Sequence, residues 1–457
     1  MRKILSKIRE KEIGFCFCGT GRPPHWGGIL WGVDPFLTIT AYGRQVTIQE
    51  RGKTTTFEAD PLLELRKLLD RYSTEAPHPF PLPRGERVEG EGKSYGAAVG
   101  FLGYELWSSL GLGIESQRGP TELPTLFFGF YDKMDHFPFF SPKVRGGGRG
   151  SDLESFSNLS RNAYMDRIKK IQIYIAAGDI YQANLTQRFT IPCSASLAQA
   201  FLGLCKNHPV PYGAYLRCGD LEILSNSPEC FLKYDPQTRV LETWPIKGTR
   251  PRGATTVEDA RLCEELLTST KDRAENLMIV DLERNDLSRV CEIGSVQVPK
   301  LCEARSYGTV HHLVSQVRGR VREDCDRIDI LRACFPGGSV TGAPKLRALQ
   351  ILEELEPSPR EVYTGAIGYL GFDGSLHFNV AIRTAWRIGD KLCYAAGGGI
   401  VADSDPEKEY EESLLKATIL QWILRFPLTL GPLPSGERKK KKGESMSFSS
   451  SPLWGED

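Results

Sequence analysis

The segment from Trp244 to Gly253 (Trp-Pro-Ile-Lys-Gly-Thr-Arg-Pro-Arg-Gly) restricts the backbone of this chain more than any other segment. It follows a short apolar run, Val240 to Trp244, which predicts a strand. Two prolines fix φ around Lys247, and two glycines allow another chain or a ligand to approach closely. This composition fits a basic surface loop. It also fits a lysine held rigidly at a strand end, where a desolvated amine can act as a nucleophile.

Length and charge exclude several classes of protein. The chain has 457 residues, enough for one large unit or two domains, and its 58 Lys and Arg residues balance 57 Asp and Glu residues. A balanced charge gives no case for nucleic acid or a membrane surface as partner. No run of 18 apolar residues predicts a transmembrane helix, and the basic segment Met1 to Glu10 lacks the apolar core of a secretory signal.

The cysteines indicate the redox compartment. The 12 cysteines are scattered and form no CxxC pair. Cys16 and Cys18 with His25 nearby could bind a metal, but buried free thiols are the better interpretation. We therefore expect a reduced, cytoplasmic protein.

Two similar segments, Pro81 to Arg87 and Pro432 to Arg438, lie in surroundings rich in proline, glycine and charge. Such surroundings bury little apolar surface, so we expect them to be disordered, and Gly146 to Gly150 to be a linker. The predicted plan is an N-terminal region at 1–140 with a disordered insertion at about 77–93, a linker at 141–157, a catalytic domain at 158–426 and a disordered tail at 427–457.

Alternation of polar and apolar residues predicts several strands. Leu37 to Gln49 predicts a hairpin around Gly43, and Leu376 to Arg387 predicts a strand whose polar face carries Arg383. The run Ile180 to Ile191 has one largely polar face. That face is either solvated or lines a site, and the periodicity does not decide between the two.

Helical spacing predicts a helix from Tyr164 to Ile175 that Gly178 ends, and further helical pieces between Val257 and Asp286. A last helix is predicted from Asp405 to about Leu424, with a proline suited to its first turn. The glycine-rich segment Phe335 to Lys345 is not a P-loop, because alanine stands where the P-loop lysine is needed, and ATP is not implied.

Several charged residues can carry chemistry. Glu229 follows a predicted strand and is either a turn carboxylate or an acid that can protonate a departing hydroxyl, provided burial raises its pKa. Glu409 and Glu412 share one face of the last helix, where the helix dipole alone favours acids. Arg383 suits a dicarboxylate, because guanidinium binds carboxylate through two parallel hydrogen bonds.

The stretch Pro-Ile-Lys-Gly-Thr around Lys247 resembles the signature of the aminodeoxychorismate synthase component I family, which uses chorismate. The related anthranilate synthases usually carry Ala in place of this lysine. The resemblance extends in the family's order from about Tyr164 to Trp422 through Gly178–Phe189, Ser227–Glu229, Asp281–Asp286, Phe335–Lys345, Ala381–Thr384 and Gly397–Glu412.

The resemblance implies roles for individual residues. Glu229 becomes the general acid, and Lys247 the nucleophile. One Mg²⁺ is expected between Glu275 and Glu412, with Glu409 close by, because hard cations take carboxylate oxygens. The remaining residues expected to bind substrate are Gly248, Thr249, His312, Tyr363, Arg383, Gly397, Gly398, Gly399 and Lys416. Tyr363 is expected on the strand that precedes the strand of Arg383.

The resemblance also implies a fold and a reaction. The fold is a mixed α/β layered sandwich with two large, mostly antiparallel sheets between helices. The reaction is amination of chorismate at C4 to 4-amino-4-deoxychorismate, on the path to 4-aminobenzoate and folate. Lys247 adds at C2 while Glu229 helps the C4 hydroxyl leave, and ammonia then enters at C4. A glutamine amidotransferase subunit is expected to supply the ammonia, because this sequence shows no Cys-His-Glu amidotransferase pattern.

Three alternatives remain open. Anthranilate synthase component I is disfavoured by Lys247 and by the lack of a clear N-terminal Leu-Leu-Glu-Ser motif. A salicylate or isochorismate synthase is disfavoured because no lysine stands near Gln182 and Ala183, where one would activate water. A non-catalytic regulatory partner of a chorismate enzyme is disfavoured by the intact Lys247, Glu229 and predicted metal ligands.

Overall fold

The computed structural model describes residues 1–18, 28–74, 96–114, 116, 118–132, 134–138, 153–193 and 196–425. The predicted insertion at 77–93, residues 141–152 of the predicted linker, the predicted tail at 427–457 and His25 lie outside the described residues. Among the helices that are described, none combines the length and the apolar character needed to cross a bilayer.

Strands hold more residues of the described chain than α-helices do. In chain order they are β1 (Ile13–Cys18), β2 (Gly28–Val33), β3 (Leu37–Tyr42), β4 (Gln45–Glu50), β5 (Lys53–Glu58), β6 (Ala97–Leu102), β7 (Leu126–Tyr131), β8 (Asp135–Pro138), β9 (Gln182–Pro192), β10 (Tyr212–Cys218), β11 (Leu221–Ser227), β12 (Cys230–Asp235), β13 (Val240–Trp244), β14 (Ile246–Pro251), β15 (Gln297–Ser306), β16 (Val310–Arg320), β17 (Gly342–Ala343), β18 (Ala366–Gly371), β19 (Leu376–Val380), β20 (Thr384–Ile388) and β21 (Lys391–Ile400).

The helices lie between and after these strands. In chain order they are α1 (Arg2–Arg9), α2 (Pro61–Thr74), α3 (Arg161–Ala176), α4 (Leu197–Asn207), α5 (Thr256–Thr268), α6 (Thr270–Ser288), α7 (Arg327–Cys334), α8 (Lys345–Leu355), α9 (Pro406–Lys416) and α10 (Ile419–Leu424).

Local signals fix the ends of the helices that flank the site. The Ser160 side chain accepts the N–H of Ala163 at the start of α3. Gly178, with φ of 82°, lets the chain turn away after that helix. Asp405 caps α9 in the same way, and Pro406 occupies its first turn. The cap at Asp405 confirms the predicted start of the last helix, and Gly178 confirms the predicted end of α3.

Two antiparallel sheets organise the molecule. The nine-stranded sheet has the order β17-β9-β21-β20-β11-β10-β1-β2-β8. The twelve-stranded sheet has the order β14-β16-β13-β12-β19-β18-β6-β7-β3-β4-β5, and β15 pairs with β16 beside this path. Strands from the N-terminal region complete both sheets, because β1 pairs with β10 and β6 pairs with β18.

Apolar side chains pack between and outside the two sheets. Phe15 and Trp386 of the nine-stranded sheet belong to one buried cluster with Phe101 and Ile367 of the twelve-stranded sheet. Other clusters hold α2 and α7 against the twelve-stranded sheet, and α1, α4 and α10 against the nine-stranded sheet. This arrangement confirms the predicted mixed α/β sandwich of two large antiparallel sheets between helices.

Most of the local predictions are confirmed. The hairpin around Gly43 is formed by β3 and β4. The polar face of β9 is mostly buried, since Gln182, Asn184 and Thr186 are each at most 9% exposed. That face therefore lines the interior of the protein rather than facing solvent.

Three local predictions are wrong. The expected single strand over Leu376 to Arg387 is two strands in different sheets, because the chain crosses between sheets at Ala381 to Arg383 and Arg383 takes a φ of 51°. Tyr363 lies in the turn before β18 rather than on a strand. The last helix is interrupted between Lys416 and Ile419, so α9 and α10 are separate.

Candidate active site

Glu229 lies in the short connection between β11 and β12, and it is only 4% exposed. The Ser339 hydroxyl donates a hydrogen bond of 2.6 Å to Glu229 Oε1. Burial raises the pKa of Glu229 to about 7, although Ser339 and Lys247 act to lower it. A carboxyl group with this pKa holds a proton for much of the time near neutral pH, as a general acid requires.

Lys247 lies near the start of β14, and its amine also contacts Ser339. Its Nζ donates to the Ser339 carbonyl over 3.2 Å. Desolvation by the surrounding protein lowers the pKa of Lys247 below its ordinary 10.5, although Glu275 and Glu229 oppose this shift. A lowered pKa increases the neutral fraction of the amine, which is the nucleophilic form.

Gly248 shows why the sequence needs glycine beside this lysine. Its φ is 82°, and a Cβ at this position would lie 2.9 Å from side-chain atoms of Asp272 and Leu266. Glycine therefore lets β14 pass directly over α5 and α6. The neighbouring Thr249 hydroxyl lies 2.9 Å from His312 Nδ1, across the β14–β16 pair.

Ser339 joins the two predicted catalytic residues, and sequence reasoning missed its role. It lies in the tight turn Gly338–Val340, before α8. Its side chain contacts Glu229 and its carbonyl contacts Lys247, which are separated from it by 110 and 92 residues. The available signal was a hydroxyl residue after two glycines within the segment Phe335 to Lys345.

Arg383 supplies a cation to the site from the crossing between the sheets. Desolvation lowers its pKa from the ordinary 12.5, and within the described ranges no carboxylate forms an ion pair with it. Burial lowers the pKa of His312 to about 3, and the positive charge of Arg383 contributes to this shift. Arg383 is therefore free to bind an anionic group beside a neutral His312.

The predicted metal ligands come from two helices. Glu275 lies on α6, and Glu409 and Glu412 lie on α9. Glu412 Oε1 is 2.8 Å from Lys416 Nζ, and Glu275 Oε1 is 4.0 Å from Lys271 Nζ.

The chemistry of these carboxylates fits a hard divalent cation. Burial raises the pKa of Glu409, and the neighbouring Glu412 charge raises it further. Burial likewise raises the pKa of Glu275, with Glu409 contributing. A cation would relieve this mutual repulsion through oxygen ligands. Across the part of the chain that is described, no three or more acidic, His or Cys side chains already converge on one point.

The glycines of β21 approach β9 closely. A Cβ at Gly397 would lie 1.9 Å from the Leu185 carbonyl oxygen, and one at Gly398 would lie 3.0 Å from Glu409 Oε2. The backbone pairing between β20 and β21 ends at Ala385 and Tyr394, so Gly397 to Gly399 pair with β9 and no longer with β20. Lys416 Nζ donates to the Gly397 carbonyl over 2.9 Å and so extends the site toward α9.

Tyr363 is buried, with 6% of its surface exposed. Burial raises its pKa to about 12, so its hydroxyl remains neutral and can donate a hydrogen bond to an anion.

Residues 142–421 match the family of chorismate binding enzymes. The chain belongs to the chorismate binding enzyme family. It is 39% identical to aminodeoxychorismate synthase component 1 of Escherichia coli (strain K12), over 84% of this chain and 86% of that protein. It is 33% identical to anthranilate synthase component 1 of Bacillus caldotenax, over 96% of this chain and 92% of that protein.

A solved structure supports the same membership. The structure of anthranilate synthase component I from Streptococcus pneumoniae TIGR4 matches with a TM-score of 0.70 and 27% identity. The match covers 87% of this chain and 92% of that chain. The two-sheet architecture of this family member is thus shared with an anthranilate synthase.

Proposed function

We propose that this family member is component 1 of an aminodeoxychorismate synthase, which converts chorismate and ammonia into 4-amino-4-deoxychorismate and water. The observation that carries the proposal is the placement of Lys247. Its amine shares Ser339 with the buried acid Glu229, at the position where anthranilate synthases usually carry alanine. Relatives named aminodeoxychorismate synthase component 1 support the proposal over most of the chain.

The first step forms a covalent bond between Lys247 and the substrate. The neutral Lys247 amine adds to C2 of chorismate, the ring double bond shifts, and the bond from C4 to its hydroxyl breaks. Glu229 gives its proton to the departing hydroxyl, which leaves as water. The lysine nitrogen then carries the positive charge, and Glu229 is a carboxylate.

The second step releases the lysine. Ammonia adds at C4, the double bond shifts back, and the bond between C2 and the Lys247 nitrogen breaks. The lysine leaves as a neutral amine, and the new C4 ammonium returns one proton to Glu229. Both residues are then in their starting protonation states.

Cationic and acidic residues would hold the two carboxylates of the substrate. Arg383 would bind one of them, with Tyr363 as a further hydrogen-bond donor. Glu275 and Glu412, with Glu409 beside them, would hold Mg²⁺, which neutralises the other carboxylate when bound. The Gly397–Gly399 segment and Lys416 would line the same pocket.

A second protein would supply the ammonia. The word component in the relatives' names implies a partner, and we propose a glutamine amidotransferase subunit. We place the reaction in the reducing cytoplasm, because the scattered cysteines form no CxxC pair and so predict a reduced protein.

A product assay tests the proposal. Protein with chorismate, Mg²⁺ and ammonium should form 4-amino-4-deoxychorismate, which an added lyase converts to 4-aminobenzoate. Lys247→Ala should lower this rate by about 10³-fold or more, and residual turnover should shift toward attack at C2. Lys391→Ala is the matched control, because that lysine forms an exposed ion pair with Glu122. Anthranilate as the wild-type product would refute the proposal.

A further inference from the structure

The turn Gly338–Val340 sets the relation between the two proposed catalytic residues, because Ser339 contacts both. Arg360, which is 1% exposed, donates hydrogen bonds to this turn from the protein interior. Its Nη1 donates to the Val340 carbonyl over 2.9 Å, and its Nη2 donates to the Asn184 carbonyl. One guanidinium group therefore ties the turn to the buried polar face of β9.

Glu356 fixes the orientation of Arg360. Arg360 Nη2 donates to Glu356 Oε1 over 2.6 Å, and Nε donates to Oε2 over 2.9 Å. Glu356 Oε1 also accepts the Thr186 N–H over 3.0 Å. Arg118 Nη1 lies 3.0 Å from Glu356 Oε2. With several partners on each charge, the guanidinium has little freedom to rotate.

The N-terminal region contacts the same turn. Arg360 Cζ lies 4.4 Å from the centre of the Tyr104 ring. The Tyr104 hydroxyl donates to Thr341 Oγ1 over 3.3 Å. The Glu105 carboxylate accepts the backbone N–H groups of Arg360 and Glu361 over 2.6 and 3.0 Å. The turn is thus held by residues far apart in sequence.

We propose that Arg360 is a positioning residue for chorismate amination, which holds the Ser339 turn so that Glu229 and Lys247 keep their relative placement. This proposal rests on the proposed function. Arg360 bonds to neither Glu229 nor Lys247, so it acts through Val340 and Ser339. Loosening this support should slow the covalent steps while leaving chorismate binding largely intact, since misplacement of reacting groups is costly to rate.

Arg360→Lys is the direct test. It keeps a positive charge opposite Glu356, whereas a charge-removing variant would take from this buried carboxylate one of the two arginines that pair with it. An ammonium group cannot reproduce the planar fork that reaches two carbonyls. We expect kcat to fall about 10- to 100-fold and KM for chorismate to change by less than about twofold.

Arg387→Lys is the matched control. Arg387 also pairs with a largely buried glutamate, since its Nη2 lies 2.8 Å from Glu222 Oε2, but this pair lies on β20 and β11 away from the turn. Arg387→Lys should lower the stability of the protein, because it weakens the ion pair with Glu222, and it should leave kcat unchanged. Equal loss of kcat in both folded variants would overturn the proposal.

The pH profile separates positioning from general destabilisation. Burial raises the pKa of Glu229, whereas the Ser339 hydrogen bond, the Lys247 charge and the Ile246 backbone N–H lower it. The Glu229 charge in turn raises the pKa of the buried Glu283. Loss of the Ser339 contact in Arg360→Lys should raise the pKa of Glu229, so the pH–rate profile should move to higher pH. A profile identical to that of the wild type would contradict the proposal.

A second variant tests the support of the Ser339 turn if Arg360→Lys does not fold. Tyr104→Phe retains every charge and the ring over Arg360, and it removes only the hydroxyl that contacts Thr341. We expect kcat to fall about threefold with KM unchanged. An unchanged kcat would overturn the proposal. The wild-type product assay is independent of both variants, so failure of the proposed function would be recognised separately.

Discussion

The two sides of the candidate active site are prepared to different degrees. On one side, Glu229 and Lys247 are each held by a direct hydrogen bond to Ser339. On the other side, Glu275 and Glu412 lie near lysines but do not converge with other ligands into a ready site in the described part of the protein. The protein alone orders the groups proposed to make and break bonds, whereas the carboxylates proposed to bind Mg²⁺ lie beside lysines.

Replacing the acid on the prepared side should give a larger effect than any change on the other side. Glu229→Gln keeps an oxygen that can accept the Ser339 hydrogen bond, but an amide cannot donate the proton that the leaving hydroxyl needs. The rate of 4-amino-4-deoxychorismate formation should fall about 10²- to 10⁴-fold. Circular dichroism should show an unchanged fold. A loss of less than about tenfold would mean that the acid is another group.

The pH dependence of this variant sharpens the test. The proposed mechanism needs a proton on Glu229 and none on Lys247. In the wild type the rate should fall in acid, where Lys247 is protonated, and in alkali, where Glu229 loses the proton from a group with pKa about 7. Measured at constant free ammonia, Glu229→Gln should lose the alkaline fall. Persistence of that fall would assign it to another group.

Weakening the unprepared side should give a smaller effect that added metal repairs. Glu275→Gln and Glu412→Gln should each raise the Mg²⁺ concentration needed for half-maximal activity by about tenfold or more, because an amide is a weaker ligand for a hard cation. Glu411→Gln is the control, since that exposed glutamate lies on α9 next to Glu412 and is near Arg161 of α3. Magnesium titrations that match the wild type for both variants would remove the metal assignment.

The smallest effect is expected from the two segments that the sequence predicts to be disordered. Deletion of residues 77–93, or of 427–457, should leave turnover and melting temperature unchanged, because these compositions bury little apolar surface. Thermal unfolding and the product assay measure both quantities. A drop of several degrees would show that the deleted segment packs on the protein.

The sequence was informative where local chemistry restricts the backbone. Lys247 and Gly248 could be recognised because prolines and glycines surround them, and the caps of α3 and α9 lie within a few residues of the helices they start. Ser339 could not be recognised as the link between Lys247 and Glu229. Its partners are distant in sequence, and only tertiary packing brings them together.

Periodicity failed where the chain changes sheets. Alternation continues from β19 into β20, so Leu376 to Arg387 has the pattern of one strand. The left-handed φ of Arg383 turns the chain from one sheet to the other, and a non-glycine residue gives no local sign of this conformation. The same crossing leaves the Arg383 side chain without a carboxylate partner in the residues described.

Covalent trapping is the most direct test of the central claim that the Lys247 amine is a nucleophile. Wild-type protein is mixed with chorismate and Mg²⁺ without ammonia, quenched rapidly and analysed by peptide mass spectrometry. We expect an adduct with the mass of chorismate less one water on the peptide that contains Lys247, and on no peptide of Lys247→Ala. Absence of the adduct, together with wild-type rates of product formation by Lys247→Ala, would contradict it.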